Sequence, residues 1–153
     1  MLSNKYLAVL NTAIMLILAT LAFTAWGFIW YATLFDDLWQ QMISQTENDL
    51  ILLAQERGIY QSIMTYLISF IQVLGLHILQ KASKSKTFIQ FQVKALVVSA
   101  FICCPTLGNE VLFAGSSQKL WIFDCLHFIL GYAGIATIFW IWNHFVSLSR
   151  PSE

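Results

Sequence analysis

Asp124 and His127 stand three residues apart in an otherwise apolar stretch running from Leu120 to Val146. In a helix, at about 100° per residue, the two share a face, and Gly131 and Gly134 continue the same stripe. A carboxylate beside an imidazole favours the charged ring, so such a pair holds or passes a proton near physiological pH. Ionisable groups inside an apolar helix are costly and mark a function or an interhelical bond. Small residues permit close helix approach in an apolar medium. The stripe is therefore expected to face protein, with Asp124 and His127 turned inward and Gly131 and Gly134 at a packing seam.

Asn109 and Glu110 end the preceding apolar stretch, and only Ala114–Lys119 separates them from the start of the next. Just before them lie Pro105 and Gly108. Proline has no N–H and leaves the carbonyl of Phe101 without its helical partner, so the third helix is predicted to lose regular geometry between Phe101 and Gly108. A break there exposes backbone carbonyls, as in the discontinuous helices of transporters. The first apolar stretch ends on the same side with Trp30, Tyr31 and Asp36. The expected site is a polar vestibule of Asn109, Glu110, Asp124, His127 and Tyr31. Three readings of it stay open: a hydrogen-bonded lock between helices, a relay for protons or ions, and a metal site built from Glu110, Asp124 and His127. The last lacks any H-x-x-E-H or H-E-x-x-H spacing, and no residue is assigned a catalytic role.

The chain that positions these residues has 153 residues, 58% hydrophobic and 10% charged, with a formal net charge of zero. Soluble domains carry about 25% charged residues. A soluble globule, a disordered chain and a nucleic-acid-binding protein are thereby excluded. A bilayer core about 30 Å thick takes roughly 20 apolar helical residues, and four segments qualify: about 6–35, 59–79, 88–113 and 120–146. None alternates with period two, so helices are the spanning solution that pairs every backbone group. The expected fold is all-α: a single integral membrane domain over residues 1–153, a four-helix transmembrane bundle. The first run is too long for a cleavable signal peptide, whose apolar region is about 7–15 residues.

Lys5, Lys81, Lys84, Lys86 and Arg150 fall on one side of these spans, and Lys94 can snorkel to it; Arg57 and Lys119 fall on the other. The excess of positive charge in short loops marks the cytoplasmic side, which gives an N-in/C-in topology. The connection Asp36–Gly58 is long for a turn. Thr46-Glu47-Asn48-Asp49 resembles a capped helix start, followed by Leu50-Ile51-Leu52-Leu53-Ala54, so a short amphipathic helix on the outer surface is expected between helices 1 and 2. The plainer alternative extends the second helix beyond the bilayer.

Other polar residues carry less. Gln61, Thr65, Ser69 and Gln72 suit interhelical bonding in the second helix, and Ser69 with Gln72 also suits a polar seam. The six tryptophans fall near two interfaces, as an aromatic belt does. Cys103, Cys104 and Cys125 form no C-x-x-C motif, and Lys81, Lys84 and Lys86 are accounted for by topology and anionic lipid. Nothing calls for a cofactor.

Two stretches resemble a known family. Trp26-Gly27-Phe28-Ile29-Trp30-Tyr31-Ala32-Thr33-Leu34-Phe35 with Leu38-Trp39 is similar to its first-helix signature. Pro105-Thr106-Leu107-Gly108-Asn109 with Leu112-Phe113, then Lys119-Leu120-Trp121-Ile122-Phe123-Asp124 and the later Gly131 and Gly134, is similar to its third-helix end and fourth helix. The family is domain of unknown function 1761, small bacterial and fungal membrane proteins. Where it commonly shows Phe-Gly-Lys, this chain has Phe35-Asp36-Asp37. The resemblance implies a four-helix membrane fold, in the bacterial inner (plasma) membrane, and carries over no activity.

Two functions are compatible with these residues. One is a protein that binds or passes an ion, proton or small solute at the vestibule. The other is a structural or accessory subunit packed in a larger membrane complex. Four helices enclose little volume, so both imply the lipid bilayer and either a homo-oligomer or another membrane protein as partners. Polar residues are scarce at mid-depth, which counts against a continuous pore.

Overall fold

The computed structural model describes residues 4–43, 47–114 and 117–148. Among them every regular element is helical. α1 spans Asn4–Ile29 and runs into a π-helical turn over Trp30–Leu34; α2 is the short Asp36–Ile43, and α3 is the long Glu47–Ala82. α4, Phe88–Val98, passes through a second π-helical turn, Ser99–Cys103, into α5, Cys104–Ala114, and α6 spans Gln118–Leu148. Four helical stretches are long and apolar enough to cross a membrane: Tyr6–Leu34, Gly58–Ala82, Phe88–Phe113 and Gln118–Phe145. Their outward faces carry large apolar side chains, among them Val9, Ile71, Ile89, Phe101 and Phe113, a surface that water does not favour over such an area.

α6 is the central helix, packed against α1, α4 and α5, while α3 leans mainly on α1. The core threads Met15, Ala19 and Phe23 of α1, Val73 and Leu76 of α3, and Phe91 and Ala95 of α4 against Tyr132, Ile135, Ala136 and Phe139 of α6. Side-chain amides, one buried and one half-buried, link the helices where apolar contact is non-directional. Gln80 Nε2 donates to the Phe91 carbonyl at 2.9 Å, and Gln92 Nε2 donates to Thr137 Oγ1 at 2.9 Å. The bundle has two chemically distinct ends. One carries Asp36, Asp37 and Asp124, and the other Lys81, Lys84 and Lys86 in and beside the α3–α4 loop.

That loop is closed by backbone bonds. α3 ends with the Ser85 N–H on the Gln80 carbonyl and the Lys84 N–H on the Lys81 carbonyl, both at 3.1 Å, the paired pattern of a Schellman end. Lys84 takes the left-handed position, φ 51°, where glycine is the usual residue. α4 then opens on a capping box: Thr87 Oγ1 accepts the Gln90 N–H, and the Gln90 side chain accepts the Thr87 N–H.

Two expectations are corrected. The segment from Glu47 to Gly58 is not a separate surface helix; it is the first part of α3, continuous to Ala82. It contains no proline, and a single Gly58 weakens a helix by only about 1 kcal/mol, so the helix propagates. Thr46, expected as its cap, lies outside the described residues, as do the Gly115–Ser116 turn and Arg150. A short helix does stand between the first and second spans, at Asp36–Ile43, with two acids at its positive N-terminal end. The second correction concerns Pro105. The irregularity expected between Phe101 and Gly108 is present, but it starts two residues earlier and ends before the proline: it is the π-helical turn at Ser99–Cys103, where the Cys104 N–H reaches back to the Ser99 carbonyl. α5 is helical through Pro105 and Gly108. The wider turn makes room for the proline ring, which clashes with the carbonyl four residues back in a regular helix.

Candidate binding site at the aspartate end

α1 delivers its aromatic residues to one place because Phe23, Trp26–Gly27 and Trp30–Tyr31 recur at helical spacing, three or four apart. The π-helical turn at Trp30–Leu34 sets the last pair toward α6. Tyr31 donates its hydroxyl to Asp124 Oδ1 at 2.8 Å, and Trp26 Nε1 donates to the backbone carbonyl of His127 at 3.1 Å. These two bonds pin the C-terminal end of α1 and the turn that follows it to the first turns of α6.

His127 sits in the middle, only 6% exposed. Its ring is walled by Tyr31 at 4.9 Å between centroids, Phe128 at 5.1 Å, Phe23 at 5.9 Å, Trp30 at 6.0 Å and Trp26 at 6.3 Å. Neither ring nitrogen has a hydrogen-bond partner, and the buried Thr24 Oγ1 and Trp30 Nε1 have none either. Burying such groups unpaired costs about 1–3 kcal/mol each, a cost that a partner reaching His127 and Thr24 would relieve.

There is room for one. A cleft of about 680 Å³ lies between α1 and α3 with His127 and Phe128 in its wall; Phe23, Thr24, Gly27 and Tyr31 line it from α1, and Gln61, Thr65, Ser69 and Gln72 from α3. A Cβ on Gly27 would come 3.7 Å from His127 Nε2, in ordinary contact, so Gly27 forms the part of the cleft wall next to that buried nitrogen. Gly131 has the opposite environment. A Cβ there would meet Phe23 Cε2 at 2.5 Å and Trp26 Cδ1 at 2.9 Å, so glycine is what allows the cage walls to close on α6.

Of the five residues expected in a vestibule, Tyr31, Asp124 and His127 come together. Asp124 bonds to Tyr31, and His127 is not hydrogen-bonded to it. Asn109 is exposed on α5, and the side chain of Glu110 lies outside the described residues. Gly108 packs on the Trp121 indole, 3.5 Å from where its Cβ would be, and Trp121 Nε1 donates to the Cys104 carbonyl at 2.7 Å. Gly134 is exposed with nothing within 4 Å of a Cβ. The expected seam stops at Gly131 because the buried face of α6 turns toward Ile135, Ala136 and Phe139, where α4 joins α1 as a neighbour.

Sequence reasoning missed Phe23, Trp26 and Trp30 as cage walls, reading the tryptophans as an interfacial belt; their shared helical spacing with Tyr31 was the available signal. Thr24 carried none, and Gly27 only its place in the first-helix signature. Among the described residues no three His, Cys, Asp or Glu side chains gather to hold a metal ion, and Cys103, Cys104 and Cys125 are free thiols. Residues 14–140 match the family model described as Protein of unknown function (DUF1761). No curated protein and no solved structure matches the chain.

Proposed function

The chain belongs to the DUF1761 family, and for this member we propose a membrane protein that binds a small uncharged amphiphile against His127. The ligand has an apolar ring or chain and a head that both gives and takes hydrogen bonds. It enters between α1 and α3 from the hydrocarbon side. The observation that carries this reading is the imidazole caged by five rings with both nitrogens unpaired, beside a cleft lined by polar rungs of α3. Binding is favoured over ion passage because the one described carboxylate of the site, Asp124, is engaged by Tyr31. The lysine end faces the cytoplasm, in line with the positive-inside rule, and the bacterial inner membrane is the setting. Cysteine labelling at Ser85 from the cytoplasmic side only is the expected result for that orientation.

Trp26 and Trp30 flank His127 and serve as reporters. Purified protein in nanodiscs, titrated with a short-chain benzoquinone and separately with a fatty alcohol, should show a saturable change in tryptophan fluorescence. His127→Phe, which keeps the ring packing, and Gly27→Val, which fills the cleft beside His127, should both abolish saturation. Linear, non-saturating changes in all three proteins refute the reading. An accessory role in a larger complex, or a homo-oligomer, is the second reading. It draws on Gly75 and Gly134, which stand exposed with nothing within 4 Å of a Cβ and so offer small-residue faces to another helix; Gly134→Leu would then dissociate the assembly.

A further inference from the structure

At the opposite end, and independently of the His127 site, a second cleft of about 570 Å³ is lined by Asn11 of α1, Gln80 and Lys81 of α3, and Lys84 and Lys86 of the loop. We propose that this cleft binds a phosphate ester whose headgroup also carries a hydrogen-bond donor, the lysines holding the phosphate and Gln80 Oε1 receiving the donor.

Gln80 supplies the specific part of the argument. The side chain is 3% exposed; its Nε2 is committed to the Phe91 carbonyl at 2.9 Å, and its Oε1 is buried with no partner. The amide cannot be turned round, since Oε1 would then face a carbonyl oxygen. The unmet need is for a donor, a hydroxyl or an ammonium. The lysines define the other half of the ligand. Lys81 follows His77 by one helical turn; the loop bonds that close α3 hold Lys84, and the Lys86 N–H on Gln90 Oε1 holds Lys86, at the same opening. The described carboxylates, Asp36, Asp37 and Asp124, lie at the far end of the bundle. Lys84 occupies a left-handed position that glycine fills more easily, so a cationic side chain stands at the cleft where loop geometry alone favours none. Topology accounts for lysines on this side of a membrane; it does not account for a buried acceptor among them.

A phosphate ester with a donor comes either from a lipid headgroup or from a soluble metabolite, and the test separates the two. Native mass spectrometry of the purified protein, with phosphatidylethanolamine, phosphatidylglycerol and phosphatidylcholine supplied at equal amounts, should show one retained ethanolamine or glycerol lipid and little choline lipid. The ethanolamine and choline headgroups have the same net charge and differ in the donor that Gln80 requires. Saturable binding of glycerol phosphate, with no lipid preference, assigns the soluble source. Each lysine removed, in Lys81→Gln and Lys86→Gln, should weaken binding about fivefold. Lys84→Gly should weaken it similarly while leaving thermal stability unchanged or raised, an outcome that a merely structural loop does not produce. Equal retention of all three lipids together with no glycerol phosphate binding, or unaltered affinity in the lysine variants, overturns the proposal.

Discussion

Replacing Gly131 and Gly134 separately by alanine changes the same chemistry, three residues apart on one helix, and should move stability in opposite directions. At Gly134 the new methyl meets nothing within 4 Å, and alanine is a better helix former than glycine by about 0.8–1.0 kcal/mol. At Gly131 the same gain is set against a Cβ that would lie 2.5 Å from Phe23 Cε2 and 2.9 Å from Trp26 Cδ1. Whether those rings can yield decides the sign. Phe23 is held edge-on to Tyr132 at 5.6 Å between centroids and stacked on His127 at 5.9 Å. Trp26 is tied to the His127 carbonyl at 3.1 Å. Neither can withdraw without opening the cage, and overpacking of such a core costs about 1–3 kcal/mol. Helices that persist in the detergent-unfolded state shrink the propensity gain at both sites alike, so the difference between the variants isolates the clash. A gap of about 2 kcal/mol corresponds to roughly 4–8 °C in Tm for a chain of this size. Thermal unfolding in one detergent, followed by tryptophan fluorescence, reads it directly, and Gly131→Ala should also shift the emission of Trp26. Equal Tm values for the two variants would refute the packing argument at Gly131.

Three further outcomes are expected. Tyr31→Phe removes a hydroxyl bonded to a carboxylate and should lower stability by about 1–2 kcal/mol, measured as a fall in Tm. His127→Phe eliminates two buried unpaired nitrogens and should raise the Tm of ligand-free protein by the equivalent of about 1–3 kcal/mol; a loss of that size would mean the nitrogens are already satisfied. Lys84→Gly relieves the left-handed backbone at φ 51° and should stabilise by about 0.5–1 kcal/mol in the same assay, the cost of glycine's looser unfolded chain taking up the rest.

The four apolar helices were legible because span length and the cost of unpaired backbone in hydrocarbon leave few alternatives. What lay beyond the sequence was mostly rotation about helix axes. Asn109 and Gly108 are neighbours, yet the helix phase sends one outward and the other onto Trp121. Tyr31 and Asp124 were placed at the same end by counting residues, and their hydrogen bond agrees with that count. Trp30, 5% exposed, was read as part of an interfacial belt because composition cannot tell a tryptophan facing lipid from one facing a histidine. The helix from Glu47 into the second span was misread as separate because its acids resemble a start signal, and nothing in the residues between Glu47 and Gly58 marks a stop. Pro105 announced a distortion, but the backbone accommodated it upstream, where a proline clash is relieved rather than where it arises.

The two π-helical turns, Trp30–Leu34 and Ser99–Cys103, also have a bearing on chain length. Each fits one residue more than an α-turn into the same contour, as a one-residue insertion does. Removing that residue from Ser99–Cys103 would restore a regular helix and spin α5 by about 100° about its axis, taking Gly108 away from the Trp121 indole. In the first turn the same loss would swing Tyr31 from Asp124. Single-residue length differences among relatives should therefore gather at these two places, and a relative that is one residue shorter at Trp30–Leu34 should also lack the tyrosine–aspartate pair.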